Sequence, residues 1–237
     1  MRTTPRIADH GLVGDLQTAA LVSTDGEIDW LCLPRFDSPS AFASLLDRDR
    51  GGYFRISPAG GQYRSHQLYL PDTAVVITRF MTEEGVGEVV DFMPVSDEVS
   101  ATDRHRLVRV VRVVRGEMRF AFELFPGFDY GRASHTVEVT DDGAVFRSGD
   151  QHVTVHLARL LNLEYEDIRV AGPNGDGLRA SATLRAGQVG GAVLEFGPAG
   201  PPHRFTPDEA WRLFHDTGWA AGIRLRADQL LDRVRPR

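Results

Sequence analysis

Hydrophobic and polar positions alternate with a period of two along much of this chain. In "EMRFAFELFP" Met118, Phe120, Phe122 and Leu124 alternate with Arg119, Ala121 and Glu123, the pattern of a strand with one buried face. "GYFRISP" reads as another strand, and "TAVVITRFMT" and "VGEVVDFMPV", separated by "EEG", read as a hairpin. "HRLVRVVRVVRG" leads into the 117–126 strand. "TVEVTDDGAVFRSGDQHVTVHLA" and "LRASATLRAGQVGGAVLEFG" continue the meander. Turn signals at such short intervals predict antiparallel sheets packed as a sandwich.

The N-terminal part opens on a hairpin. "TAALVS" and "EIDWLCL" flank "TDG", where Gly26 is free to take positive φ. Pro34 ends the returning strand, because it has no amide to give to a ladder. Ser38 and Pro39 then read as the N-cap and first position of a short helix. Phe42, Leu45 and Leu46 form its apolar stripe and Gly51 and Gly52 close it. Near the C-terminus "GPAGPPHRF" reads as a linker. Thr206, Pro207 and Glu209 form a capping box for a helix, and Ile223, Ala227, Leu230, Leu231 and Val234 mark one face of a second helical piece. The expected fold is mainly β, a large antiparallel super-sandwich over 1–198. A short N-terminal helix lies inside it, and a linker with a helical tail follows over 199–237.

Composition narrows the class. Over 237 residues, 42% hydrophobic and 25% charged positions are ordinary for a globular protein and exclude a disordered chain. The net charge of −6 lacks the basic excess that nucleic-acid binding needs. All the basic residues other than histidine are arginines, which fits coding bias, since no cluster for bidentate anion recognition is visible. Arg106, Arg109, Arg112 and Arg115 recur every third position. On a strand of period two, successive members face opposite ways and form no single basic stripe. The single cysteine, Cys32, lies in an apolar run and reads as a buried small hydrophobe in a reducing compartment. The first residues contain no apolar signal core, and no run is long enough to span a membrane. The expected location is cytoplasmic, with no membrane or nucleic-acid partner.

Candidate chemistry is sparse. A glycosidase needs two carboxyl groups, about 5–5.5 Å apart for retention or about 6.5–9.5 Å for inversion. Asp15, Asp25, Asp29, Asp37, Asp91 and Asp129 are available, but their spacing pairs none of them. Asp15, Asp25 and Asp37 sit beside turn residues and read as turn caps. Asp91, before Pro94, reads as a strand-end cap. Trp30 offers a flat face for a pyranose beside Arg35 and Asp37, although a tryptophan on a strand more often packs in a core. His152 and His156, four apart on a strand, stand roughly 13 Å apart, too far to share a metal. No metal site, cofactor fingerprint, nucleotide loop or serine-nucleophile motif is present.

The segment "ADHGLVGDLQTAALVSTDGEIDWLCLPRFDSPSAFASLLD", followed by "GGYFRISP", resembles the N-terminal domain of trehalase-like and glucoamylase-like proteins of glycoside hydrolase family 15. "VGEVVDFMPV", "HRLVRVV" and "FPGFDYGRA" match later landmarks in the same order. The resemblance covers most of residues 7 to 132, and more loosely the β region to about residue 197. It implies a β super-sandwich joined by a helical linker to an (α/α)6 barrel. In the family that barrel carries both catalytic glutamates of an inverting reaction on α-glucosidic bonds. The helical tail departs from the family's linker pattern, no barrel follows, and no residue here inherits the acid or base role.

Three readings follow. The first is a non-catalytic domain that supports or docks an α-glucosidase barrel, in trans or as the remnant of a truncated gene. In it Trp30, Arg35, Phe36 and Asp37 line the interdomain contact or the rim of the sugar pocket. The second is an autonomous carbohydrate-binding module for α-glucan or trehalose. The third is a self-contained hydrolase with a relocated carboxyl pair.

Overall fold

The computed structural model describes residues 5–94, 105–140, 142–158, 164–172 and 176–198. All lie within one compact unit, Met1–His203. The expected C-terminal helices fall outside the described residues.

Among the described residues fifteen strands carry the fold, and every pairing between them is antiparallel. They are β1 (His10–Gly14), β2 (Ala19–Ser23), β3 (Glu27–Cys32), β4 (Ser40–Phe42), β5 (Gly52–Pro58), β6 (Arg64–Tyr69), β7 (Val76–Met81) and β8 (Gly85–Phe92). Then come β9 (His105–Pro126), β10 (Thr136–Thr140), β11 (Gly143–Ser148), β12 (Gln151–Ala158), β13 (Glu166–Ala171), β14 (Gly177–Arg185) and β15 (Val189–Pro198).

One strand organises the rest. The run read as two consecutive segments, "HRLVRVVRVVRG" and "EMRFAFELFP", is the single 22-residue strand β9. Its first half pairs with β8 and β15, and its second half with β5 and β14. Two layers result, ordered β1-β2-β3-β5-β9-β14-β13 and β6-β7-β8-β9-β15-β12-β11-β10, with β4 added to β3. The strand changes layer at Gly116, whose φ is +74° and where a Cβ would lie 2.0 Å from the Glu84 carbonyl oxygen. Only glycine fits there.

The inward faces obey the predicted alternation. Met118, Phe120, Phe122 and Leu124 are all nearly or fully buried, as are Leu107, Val111 and Val113 in the first half of β9. Phe80 of one layer meets Phe120 of the other edge-on at 6.4 Å between ring centroids, closing the core between the sheets. Each such side chain contributes roughly 1.5–3 kcal/mol by leaving water.

The predicted N-terminal helix is a correction. Ser40–Phe42 is a strand instead, with Phe42 opposite Leu31 and Ser40 opposite Cys32. Turns fill residues 44–50. Phe42 is fully buried while Leu46 is 69% exposed, so the supposed stripe does not share a face. A two-turn helix is marginal by itself, and ladder bonds to β3 with burial of Phe42 outweigh it. The hairpin about Gly26 (φ +72°) and the β7–β8 hairpin are as predicted.

The arginine series also follows the strand period. Arg109 points inward and is completely buried, while Arg106 and Arg112 lie on the opposite face. They reach Glu195 and Glu88 at 2.8 and 2.7 Å. Asp91 is a second correction. It is no strand-end cap but a fully buried residue within β8, directly opposite Arg109. Its place in the ladder was hidden because its partner lies 18 positions away.

Candidate functional site

Strands β1 and β3 and the second half of β9 run towards the same end of one layer, because each is separated from the next by one antiparallel partner. The connections after them therefore gather there as a rim: 15–18, 33–39 and 127–135. Asp15 caps its own turn as predicted, accepting from the amides of Gln17 and Thr18 at 3.0 and 2.9 Å. Thr18 donates its hydroxyl to the Cys32 carbonyl, which ties the first connection to the second. Ser40 Oγ accepts from the Tyr130 amide at 2.9 Å, which ties the second to the third. Cys32 lies beneath them, free and buried, as its apolar context predicted.

Of the four residues singled out by sequence, all stand on or beside this rim. Trp30 is half-buried, its ring 6.2 Å from that of Tyr130 and tilted by 47°. Arg35 and Asp37 are exposed and pair with each other at 3.2 Å. Phe36 between them is 63% exposed. Sequence reasoning named Asp129 among the available carboxylates and 125–133 as a landmark, but it did not place this third connection beside Trp30. There Asp129 and Tyr130 hold left-handed φ of 49° and 59° without being glycine, and Arg132 bonds Asp129 Oδ1 at 2.8 Å. The Arg132 guanidinium also lies over the Tyr130 ring at 5.5 Å. Asp-Tyr-Gly-Arg carries a turn signal in its glycine, but nothing in it announces that Tyr130 will meet Trp30.

Two buried histidine–carboxylate pairs hold β1 and the 15–18 turn in place. His10 Nε2 contacts Asp29 Oδ2 at 2.7 Å, and His105 Nδ1 contacts Asp15 Oδ2 at 2.6 Å. The two carboxylates are tuned in opposite senses. Burial pushes Asp15 upward, but the His105 hydrogen bond and the amides of Thr18 and Gln17 prevail and hold it below the usual range. Burial also dominates at Asp29 and raises it, because the His10 hydrogen bond only partly offsets the loss of water. One Asp29 oxygen has no hydrogen-bond partner, consistent with that imbalance.

Each buried acid thus faces a named basic side chain: Asp15 with His105, Asp29 with His10, Asp91 with Arg109, Glu27 with Arg48, Glu88 with Arg79 and Arg112, and Glu195 with Arg106. Among the described residues no group of three or more His, Cys, Asp or Glu could hold a metal ion. His152 and His156 lie on β12, the strand assigned from their sequence context. No helix among the described residues is long and apolar enough to cross a membrane.

The fold and its rim define a two-layer antiparallel β-sandwich whose layers share one bent strand and whose connections converge at one end. Residues 2–160 match the family described as "Trehalase-like, N-terminal", and the chain belongs to that family. It is 31% identical over 230 residues to a trehalase of Mycolicibacterium smegmatis, a match covering 88% of this chain and 33% of that protein. The trehalase of Mycobacterium tuberculosis is 30% identical over 230 residues, covering 88% of this chain and 32% of that protein. Trehalase 1 of Sulfolobus acidocaldarius is 38% identical over 136 residues, covering 57% of this chain and 22% of that protein. The chain thus spans about a third of the length of the first two relatives.

Proposed function

We propose that this chain is the non-catalytic N-terminal domain of a glycoside hydrolase of family 15 type, supporting an (α/α)6 α-glucosidase barrel in carbohydrate metabolism. The observation that carries the reading is the coverage: proteins named trehalases contain this domain as about a third of their length. Trehalose is the substrate their name suggests for the complete machine. In this reading residues 1–198 make up the supporting domain and 199–237 the connection towards the barrel. In this reading Trp30, Arg35, Phe36 and Asp37 line the interdomain contact or the rim of the sugar pocket. Among the described residues the buried carboxylates Asp15, Asp29 and Asp91 are each held by a histidine or arginine, which supports a scaffold role for them. A single buried cysteine supports a cytoplasmic location.

A chimaera tests this reading. This chain replaces the matched third of the M. smegmatis trehalase, and trehalose hydrolysis and calorimetric unfolding are measured. The expected result is an active protein with one cooperative transition, while this chain alone turns over neither trehalose nor maltooligosaccharides. Two independent transitions, or hydrolysis by this chain alone, would overturn it.

The Trp30–Tyr130 pair beside Arg35 and Asp37 favours a second reading, direct binding of α-glucan or trehalose. Calorimetric titration of this chain with both sugars decides it. Heat that vanishes in Trp30→Ala supports binding, and no heat at millimolar sugar excludes it.

A further inference from the structure

We propose that Leu16, with Phe36 and Tyr130, forms a strained apolar contact surface that seats an apolar protein face of the catalytic remainder; this rests on the docking reading above. Leu16 sits at the tip of the first rim connection with φ +74° and 82% of its surface in water. Both features are unfavourable in this domain alone. A left-handed backbone costs a branched residue energy that glycine or asparagine would avoid, and the exposed side chain returns little by burial. The loop is not loose, because the Asp15 carboxylate is anchored to His105 and Thr18 is bonded to the Cys32 carbonyl. The leucine is therefore held out rigidly. Tyr130, on the same rim, also has a left-handed φ of +59° and is 37% exposed, although its ring packs on Trp30 within the domain. Strain held at an exposed site points to a role outside the domain.

The charges nearby restrict what docks. Arg35 pairs with Asp37, and Arg132 with Asp129, so the rim's ions neutralise each other locally. What stays exposed is apolar: Leu16, Phe36 at 63% exposure and the part of Tyr130 that Trp30 and Arg132 leave uncovered. Such a surface fits an apolar protein face, not a polyanion or a charged lipid headgroup. About two thirds of the length of the first two trehalase relatives lies outside the match, which supplies a polypeptide of the required size as the occupant.

The test is Leu16→Gly, made both in this chain and in the M. smegmatis chimaera, with Tyr130→Asn as the second variant. In this chain alone Leu16→Gly relieves strain, and its Tm is expected at or above that of the unsubstituted chain. In the chimaera the same change removes the contact, and the single transition is expected to fall by several degrees or split in two. Opposite signs in the two settings support the proposal. A lowered Tm in this chain alone overturns it, because Leu16 then serves the domain itself. An unchanged chimaera transition overturns it while leaving the docking reading intact. A chimaera that already melts in two steps without the substitution removes the docking reading and this inference together. Concentration-dependent dimerisation of this chain, lost in Leu16→Gly, assigns the surface to a second copy and also overturns it.

Discussion

Arg109 and Asp91 face each other across the β8–β9 ladder, Nε to Oδ1 at 2.7 Å, with no solvent on either side chain. The same guanidinium donates at 2.7 Å to the carbonyls of Phe54 and Gly26 in the opposite layer and lies over the Phe54 ring at 4.7 Å. One residue thus bonds three neighbouring strands or turns across both sheets. Burial raises the Asp91 carboxyl, and the charge and hydrogen bonds of Arg109 oppose that shift.

Breaking this pair from one side is expected to cost about 3–5 kcal/mol, because the other charge is left buried. Arg109→Met also strands two carbonyls. Urea unfolding should therefore show a large loss for Arg109→Met and for Asp91→Ala alone. The double variant should fall well short of the sum of the two. Additive losses would mean that the two side chains act independently.

The two histidine–carboxylate pairs predict opposite pH behaviour. Asp15 has a folded-state pKa below its unfolded value of about 3.9. Its contribution is full above that value and is lost as pH falls through the lower, folded pKa. Asp29 has a raised folded-state pKa. Its contribution is full below the unfolded value and declines as pH rises through the folded one. Asp15→Asn should flatten the acid limb of the stability curve. Asp29→Asn should cost less near neutral pH, where the native carboxylate is poorly solvated. Unfolding free energies collected between about pH 1 and 7 read both effects, and matching slopes for the two variants would contradict the assignment.

Gly116→Ala is expected to lose about 1–3 kcal/mol from backbone strain, with a further loss from the clash at the Glu84 carbonyl. Gly187→Ala, also at positive φ but with open space around it, supplies the control. Thermal unfolding should show the larger fall for Gly116→Ala. Equal falls would show that the layer-changing corner tolerates a side chain.

Tyr69 shields an edge. Its hydroxyl accepts from the Leu12 amide at 2.7 Å and donates to the Leu12 carbonyl at 3.1 Å, occupying the outer side of β1, which ends its sheet. Tyr69→Phe exposes those groups to pairing with another chain. Light scattering at rising concentration should show self-association that the unsubstituted chain lacks, and identical profiles would rule out this protective role.

The linear pattern determined a good deal. Alternation over 118–124, the turn at Gly26 and the β7–β8 hairpin were legible because a strand's burial period is written in adjacent residues. The resemblance carried by residues 7 to 132 pointed to the same β fold and to the family. Cys32 was legible as a buried hydrophobe for the same local reason. The helix expected after Ser38 failed because its signals, a cap and an i, i+3, i+4 stripe, are local, whereas the partner that drew Ser40–Phe42 into a strand is β3.

Tertiary structure alone decided the rest, because it joins residues that the chain keeps apart. Asp15 meets His105 across 90 positions, and Ser40 meets Tyr130 across another 90. Arg109 found Asp91 only once β8 and β9 were in register. The sequence marked 30–37 as unusual, but it could not show that Leu16 and Tyr130 share its rim. That follows from strand direction and sheet order, which are set by burial of both inner faces at once.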